Sequence, residues 1–310
     1  MPEQTTPTVL EDTAVPINAG EAAQRRQRII PIDQTRSVQT TRDQKRSELI
    51  DLVESQKSGR VLSGIVQGRE LNSDASSVYA VVYHGSYKVI IPAEQMLPLT
   101  PETEPMQIAL VTKRLGAEID YVVAGIDMET GVAAGSRLAA MAVRQRELLR
   151  TNHDGTYEIQ EDDLAEARVV SVIRSGIFVE LFGLEIFVPL SELSYQRWLN
   201  AEDHFVVGQR VLVQILSIAR DDPETLGMTV SVKRAAEESF LASVARYKVN
   251  DLYIGTVSMI TTAGVFVSLD GVDCLCRFPR RGRPPIGTNV TVKILGIDSE
   301  SKRIWGVIVH

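Results

Sequence analysis

Residues 277–283 read RFPRRGR, four arginines in seven positions around one phenylalanine. Arg277, Arg280, Arg281 and Arg283 carry planar, permanently charged forks that suit phosphate oxygens, and a guanidinium or the Phe278 ring can also stack on a flat partner. Gly282, Pro284 and Pro285 favour an irregular, exposed segment here. The chemistry on offer is the grip of a ligand that is both anionic and aromatic; the plain alternative is a solvated loop. Phe178 and Phe266 are further candidates, each inside a Gly-x-Phe-Val stretch, GIFVEL and GVFVSL. On spacing alone, a strand phenylalanine is more often core than platform.

Catalytic readings lack their parts. His84, His153, His204 and His310 are scattered. Cys274 and Cys276 would share one face of a strand, but two sulfurs do not complete a tetrahedral zinc site, so they read as small buried side chains. There is no GxxxxGK[ST] phosphate loop and no dinucleotide fingerprint. The carboxylate runs EDDLAE and RDDPE fall in linkers or turns. Neither enzymatic activity nor a cofactor is expected.

Charge at first argues against an anionic partner, because the 310-residue chain carries a net −7 and binding to a phosphate backbone needs cations. Counted by segment, the objection weakens. Residues 247–310 hold eight Lys or Arg, Lys293 among them, against five acids, whereas residues 161–233 hold twelve acids against six bases. The basic surplus belongs to the last fifth of the chain.

The elements that must position these residues repeat. GAEIDYVVAGID starts at Gly116, GQRVLVQILSIA at Gly208 and GTNVTVKILGID at Gly287, each a glycine turn followed by period-two alternation, as in a half-buried strand. Upstream of two of them, ARVVSVIRSGIFVEL (from Ala167) and GTVSMITTAGVFVSL (from Gly255) share one spacing. The first repeat opens with GIV at Gly64, carries the insertion RELNSDASSVY, and regains register at YKVIIPAEQM, which parallels EIFVPLSELS: Pro92 stands where Pro189 does and Ile90 where Phe187 does. Downstream, GVAAGSR (131–137) is matched to MTVSVKR (228–234). Each repeat amounts to five short strands, the strand count of an oligonucleotide-binding barrel.

These residues resemble the S-one RNA-binding domain of ribosomal proteins, and the arrangement is similar to short proteins of this type from Gram-positive bacteria and their mobile elements. The second repeat offers GIFVEL, LSELS, VGQRV and VSVKR; the third offers GVFVSL, IGTNV, GIDSESKR and RIWGVIV. The resemblance implies base stacking on Phe178 and Phe266, and a last hairpin carrying Asp298 and Arg303, which the third repeat keeps while the second has Ala219 and Gly227. There are departures. Ser175 and Ala263 stand where the family often has a second aromatic residue, Pro189 and Arg277 where many members have histidine, and Val81 where the first repeat would have its stacking phenylalanine.

The expected fold is mainly β: three tandem five-stranded barrels of the oligonucleotide-binding type, joined by short helices, behind a disordered tail. The expected layout is a tail at 1–40, a helix at 41–57, a degenerate barrel at 58–137, a helical linker at 138–160, a second barrel at 161–234, a linker helix at 235–246 and a third barrel at 247–310. Few large apolar residues in 1–40 support the tail, and the cluster Arg25–Arg28 inside it reads as solvated charge. Lacking a basic start and apolar core, the N-terminus does not read as a secretory signal, and no stretch approaches the roughly 20 apolar residues of a membrane span, so a cytoplasmic location is expected. The expected partner is single-stranded RNA, including messenger RNA, with the small ribosomal subunit as a second contact. The alternative is a mobile-element interaction protein that binds proteins or single-stranded DNA. The third repeat is expected to dominate, with the acidic second repeat acting as a protein-contact module or spacer.

Overall fold

A computed structural model describes residues 41–72, 77–221, 226–279, 282–298 and 302–309. The expected tail, with Arg25–Arg28, lies outside them, as do Arg280, Arg281 and His310.

A helix, α1 (Thr41–Ser58), precedes the first barrel. Leu52 and Ser55 face inward, and the Ser55 hydroxyl donates to the Arg60 carbonyl at 2.7 Å while accepting the Val123 N–H at 3.0 Å. Gly59, at φ +72°, closes the helix by donating to the Ser55 carbonyl.

Barrel 1 consists of β1 (Leu62–Leu71), β2 (Val78–His84), β3 (Tyr87–Pro92), β4 (Glu118–Asp127) and β5 (Val132–Ser136), with short helices α2 (Ala93–Met96) and α3 (Gln107–Thr112) between β3 and β4. Helix α4 (Arg137–Gln145) and a 3-10 turn over Arg146–Leu149 lead on. The expected helical linker stops there: Thr151 and Tyr157 bridge across a turn through Gly155, whose φ is +82°. Barrel 2 consists of β6 (Leu164–Ile173), β7 (Gly176–Leu181), β8 (Leu184–Pro189), β9 (Arg210–Ala219) and β10 (Gly227–Ser231). Helices α5 (Val232–Ala235) and α6 (Glu237–Val244) follow, then barrel 3 with β11 (Leu252–Thr261), β12 (Gly264–Leu269), β13 (Val272–Arg277), β14 (Asn289–Asp298) and β15 (Arg303–Val309).

The strands pair in one order in all three. Barrels 1 and 3 close through parallel ladders between β3 and β5 and between β13 and β15; barrel 2 is a five-stranded sheet in which β8 and β10 form the two edges. The repeat extends to single hydrogen bonds. Gly116, Gly208 and Gly287 sit at φ +87°, +86° and +86°, and their N–H groups donate to Val66, Val169 and Val257, each at 2.8 Å. That left-handed backbone is the physical reason for a glycine at the start of each repeated strand. Each first strand also bulges at the same place, after Val66, Val169 and Val257, and each fourth strand bulges before Gly125, at Leu216 and before Gly296.

One sequence alignment needs correction. The register of β4 with β5 and of β9 with β10 makes Ser136 equivalent to Ser231, not to Lys233. Both serines cap the next helix, accepting N–H bonds from Ala139 at 3.0 Å and Arg234 at 3.2 Å. Both also donate at 2.7 Å to an equivalent side chain, Gln95 or Glu192. A slip of two residues preserves the in-out alternation of a strand, so periodicity could not detect it.

Each barrel has its own apolar core. Val82, Val89, Ile91 and Ile119 fill the first, Ile177, Val179, Val213 and Ile215 the second, and Val265, Val267, Val292 and Ile294 the third. Burying one such side chain stabilises by about 1.5–3 kcal/mol, so every barrel holds a substantial local driving force.

Candidate nucleic-acid interface

On β7 and β12 the core takes every second residue, which turns Phe178 and Phe266 to the outer face, and the register makes them equivalent to each other and to Val81. Neither ring stands open. Phe178 forms a tilted pair with Phe187, centroids 5.1 Å apart, and packs partly buried against the core of barrel 1. Phe266 is only 7% exposed, and the Arg197 guanidinium from barrel 2 lies 4.4 Å above its ring. In barrel 1 a salt bridge from Lys88 on β3 to Glu70 on β1 crosses the face of β2, where Val81 is buried.

The acids of barrel 2 explain the cover over its face. Glu180 projects from β7 and Glu185 from β8 toward barrel 1, where they meet Arg137, fully buried at the start of α4. The Arg137 Nε donates to Glu180 at 2.9 Å, one Nη to Glu185 at 2.9 Å, and the other to the Met96 carbonyl at 3.0 Å. Arg114 adds a bond to Glu185. Alongside, the buried Asp120 of β4 accepts from Arg168 of β6 at 2.9 Å, from Arg144 at 2.9 Å and from Ser63 at 2.6 Å. Burial alone would raise the Asp120 carboxyl, but these partners hold it down at about 2. Glu185 is likewise raised by burial and brought below its ordinary range by Arg137 and Arg114. Two of the twelve acids of the second repeat, Glu180 and Glu185, are thus paired with arginines of the neighbouring barrel.

Barrel 3 presents a different surface. Across β12, β13, β15 and β14 the register sets Phe266 beside Leu275, Leu275 beside Trp305, and Trp305 beside Gly296. The Trp305 indole lies over Gly296, where any Cβ would collide with the ring, and it remains 43% exposed. One row away, Arg277 and Lys293 both flank Val307. On the other side Arg303 pairs with Asp298. Arg277 and Arg303 are exposed and Lys293 half-buried. An open indole thus sits between three cations.

Farther along the chain, Phe278 is 37% exposed with the Arg283 guanidinium 4.7 Å above its ring, in the segment joining β13 to β14. The structure therefore gathers Phe266, Arg277, Lys293, Asp298 and Arg303 on one face of barrel 3, with Phe278 and Arg283 following Arg277, and leaves Phe178 on a different barrel. Trp305 and Arg197 are the residues that sequence reasoning missed. Gly296, opposite a tryptophan, was the one available signal for the first.

The segment Ser194–Trp198 joins barrel 2 to barrel 3. The Tyr195 hydroxyl donates to Glu237 at 3.1 Å and accepts from the Lys302 ammonium at 2.9 Å, while its ring stacks on Phe240. Gln196 reaches the Ser268 hydroxyl at 3.4 Å, and the Arg197 N–H donates to Asp273 at 2.6 Å. Asp273, equivalent to Glu185, has its carboxyl raised by burial, and its Oδ1 has no hydrogen-bond partner.

Among the described residues no cluster of His, Cys, Asp or Glu is arranged to hold a metal, and no helix is long and apolar enough to cross a membrane. The chain is 30% identical over 177 residues to the small ribosomal subunit protein bS1 of Staphylococcus aureus, covering 54% of this chain and 44% of that protein, so the match spans less than half of the relative. A shorter similarity, 29% over 157 residues, links 47% of the chain to 24% of the 4-hydroxy-3-methylbut-2-enyl diphosphate reductase of Clostridium acetobutylicum. Among solved structures, a multidomain protein with nucleic acid binding domains from Streptococcus pneumoniae aligns with 81% of this chain and 73% of its own at 16% identity and a TM-score of 0.19. GSP13 from Bacillus subtilis aligns with 20% of this chain and 55% of its own at 26% identity and a TM-score of 0.19. Residues 158–224 match the S1 RNA binding domain, so the resemblance read from the sequence holds over β6 to β9 of barrel 2, and the barrels on either side share that barrel's strand order, bulges and turn glycine.

Proposed function

We propose that this protein binds single-stranded RNA through barrel 3, with no catalytic step, in a role tied to translation or messenger RNA handling. The observation that carries the reading is Trp305, an exposed indole at the centre of a strand face, flanked by Arg277, Arg303 and Lys293. A base stacks on the indole and the cations take the adjoining phosphates; this combination suits a single strand, whose bases are free to leave their neighbours. The S1 RNA binding domain match and the ribosomal relatives support RNA as the ligand and translation as the setting. Arg283 over Phe278 extends the cationic, aromatic surface beyond the strand face, and Arg280 and Arg281 fall in the same segment of sequence.

Barrels 1 and 2 then serve as a paired body whose shared face is turned to protein contact, which leaves the small ribosomal subunit as a partner for their outer surfaces. The test is a fluorescence anisotropy titration of the whole chain with matched RNA and DNA oligonucleotides. RNA is expected to bind more tightly than DNA, and affinity for RNA to fall with salt. Equal affinity for the two would remove the translation assignment, and no binding of either would remove the reading itself.

A further inference from the structure

The ring of Phe266 and the carboxylate of Asp273 are held by barrel 2 in a way that resembles ligand occupancy. Three contacts come from one short segment: Gln196 to Ser268, the Arg197 N–H to Asp273, and the Arg197 guanidinium stacked on Phe266. All three contacted groups lie on the outer face of β12 and β13: Phe266 in register with Leu275 and Trp305, and Ser268 paired with Asp273 two positions along. At 4.4 Å from the centroid, the guanidinium leaves no room for a base, since a ring inserted between two planes needs roughly twice the ordinary contact distance of about 3.5 Å. Arg197 itself is exposed on its other side.

We infer that Arg197 is a displaceable cap over a second base subsite on barrel 3, one that sets how many nucleotides the site accepts. The inference rests on the RNA-binding reading above. A short ligand engages Trp305 alone and leaves the cap in place. A longer strand running along the row from Trp305 past Leu275 meets Phe266, where its next base must replace the guanidinium on the ring. The segment's backbone N–H occupies Asp273 Oδ2, while the buried Oδ1 has no hydrogen-bond partner. That acceptor suits a hydroxyl or exocyclic amino group of the incoming nucleotide.

The cap therefore competes with the ligand, and its removal should strengthen binding of long strands only. The experiment compares the full chain with R197A and R197K, using an oligouridylate dinucleotide and an octamer as probes. A guanidinium that is itself exposed, as Arg197 is, gains about 0.5–1 kcal/mol from a ring, so R197A should bind the octamer about two-fold to five-fold more tightly. The dinucleotide should bind R197A and the parent chain alike. R197K, which keeps the charge but loses the planar stack, should fall between the two for the octamer. Weaker or unchanged octamer binding by R197A, with binding by the parent chain intact, would overturn the cap while leaving the RNA-binding reading standing. A parent chain that binds neither probe would instead remove the reading on which the cap depends. The unliganded emission of Trp198, the residue next to Arg197, reports whether R197A keeps the segment folded in a W305F background.

Discussion

Barrels 2 and 3 share a strand order, a pair of bulges, a glycine turn and a Gly-x-Phe-Val strand, yet equivalent positions do opposite work. In barrel 2 the outer face carries Glu180 and Glu185, which bind Arg137 and Arg114 of the preceding barrel. In barrel 3 the same two positions hold Ser268 and Asp273, touched by one short segment, and the rest of the face carries Trp305, Arg277 and Arg303. The two faces differ further where Thr229, Gly227 and Pro189 of barrel 2 stand at the positions of Trp305, Arg303 and Arg277 of barrel 3. The architecture sets where a flat surface exists; charge decides what lies on it.

The comparison breaks most visibly at Arg137. Replacing it by alanine strands Glu180 and Glu185 without their main counter-charge, and loss of one partner of a buried pair costs about 3–5 kcal/mol. Urea unfolding of R137A should show that loss, with RNA affinity unchanged if barrel 3 does the binding. Next comes Trp305→Ala, expected to weaken RNA binding about ten-fold, from the 1–3 kcal/mol of a stacked base, without lowering stability comparably. A binding isotherm equal to the parent's would move the site elsewhere.

Acid should separate the barrels' stabilities as well. Asp120 is held at about 2, below its ordinary 3.8, so its contribution is complete above pH 4 and lost as pH falls toward 2. That loss amounts to about 2 kcal/mol, and D120N should flatten the stability profile in this window. Asp273 carries the opposite sign. Its carboxyl is raised, so folding is favoured at low pH and D273N should leave the chain at least as stable at pH 7. Phe178→Ala closes the series: RNA affinity should stay within about two-fold, because its ring packs against the core of barrel 1. A ten-fold drop there would return barrel 2 to the binding site.

Much of the fold was legible because its determinants are local. A glycine that must adopt φ near +86° before an alternating strand is written in a dozen residues, and its recurrence at 116, 208 and 287 revealed the repeat. The equivalence of Val81, Phe178 and Phe266 followed from spacing and holds in the strand register. What sequence could not convey was non-local. Trp305 becomes neighbour to Leu275 only when β15 closes the barrel in parallel with β13, and Arg197 reaches Phe266 only because two barrels pack together. Nor could a charge count along the chain show that two of the second repeat's acids, Glu180 and Glu185, meet Arg137 from another barrel.

The burial of Arg137 has a practical consequence in ionic strength. Mobile ions shield charges that face water over about 10 Å at 0.1 M, but they enter a closed interface poorly. The exposed cations beside Trp305 and the enclosed pair beneath α4 are therefore two electrostatic systems with separate salt responses. Raising salt should strip an RNA from barrel 3 while barrels 1 and 2 stay joined, so the washed protein keeps its shape and rebinds on dilution.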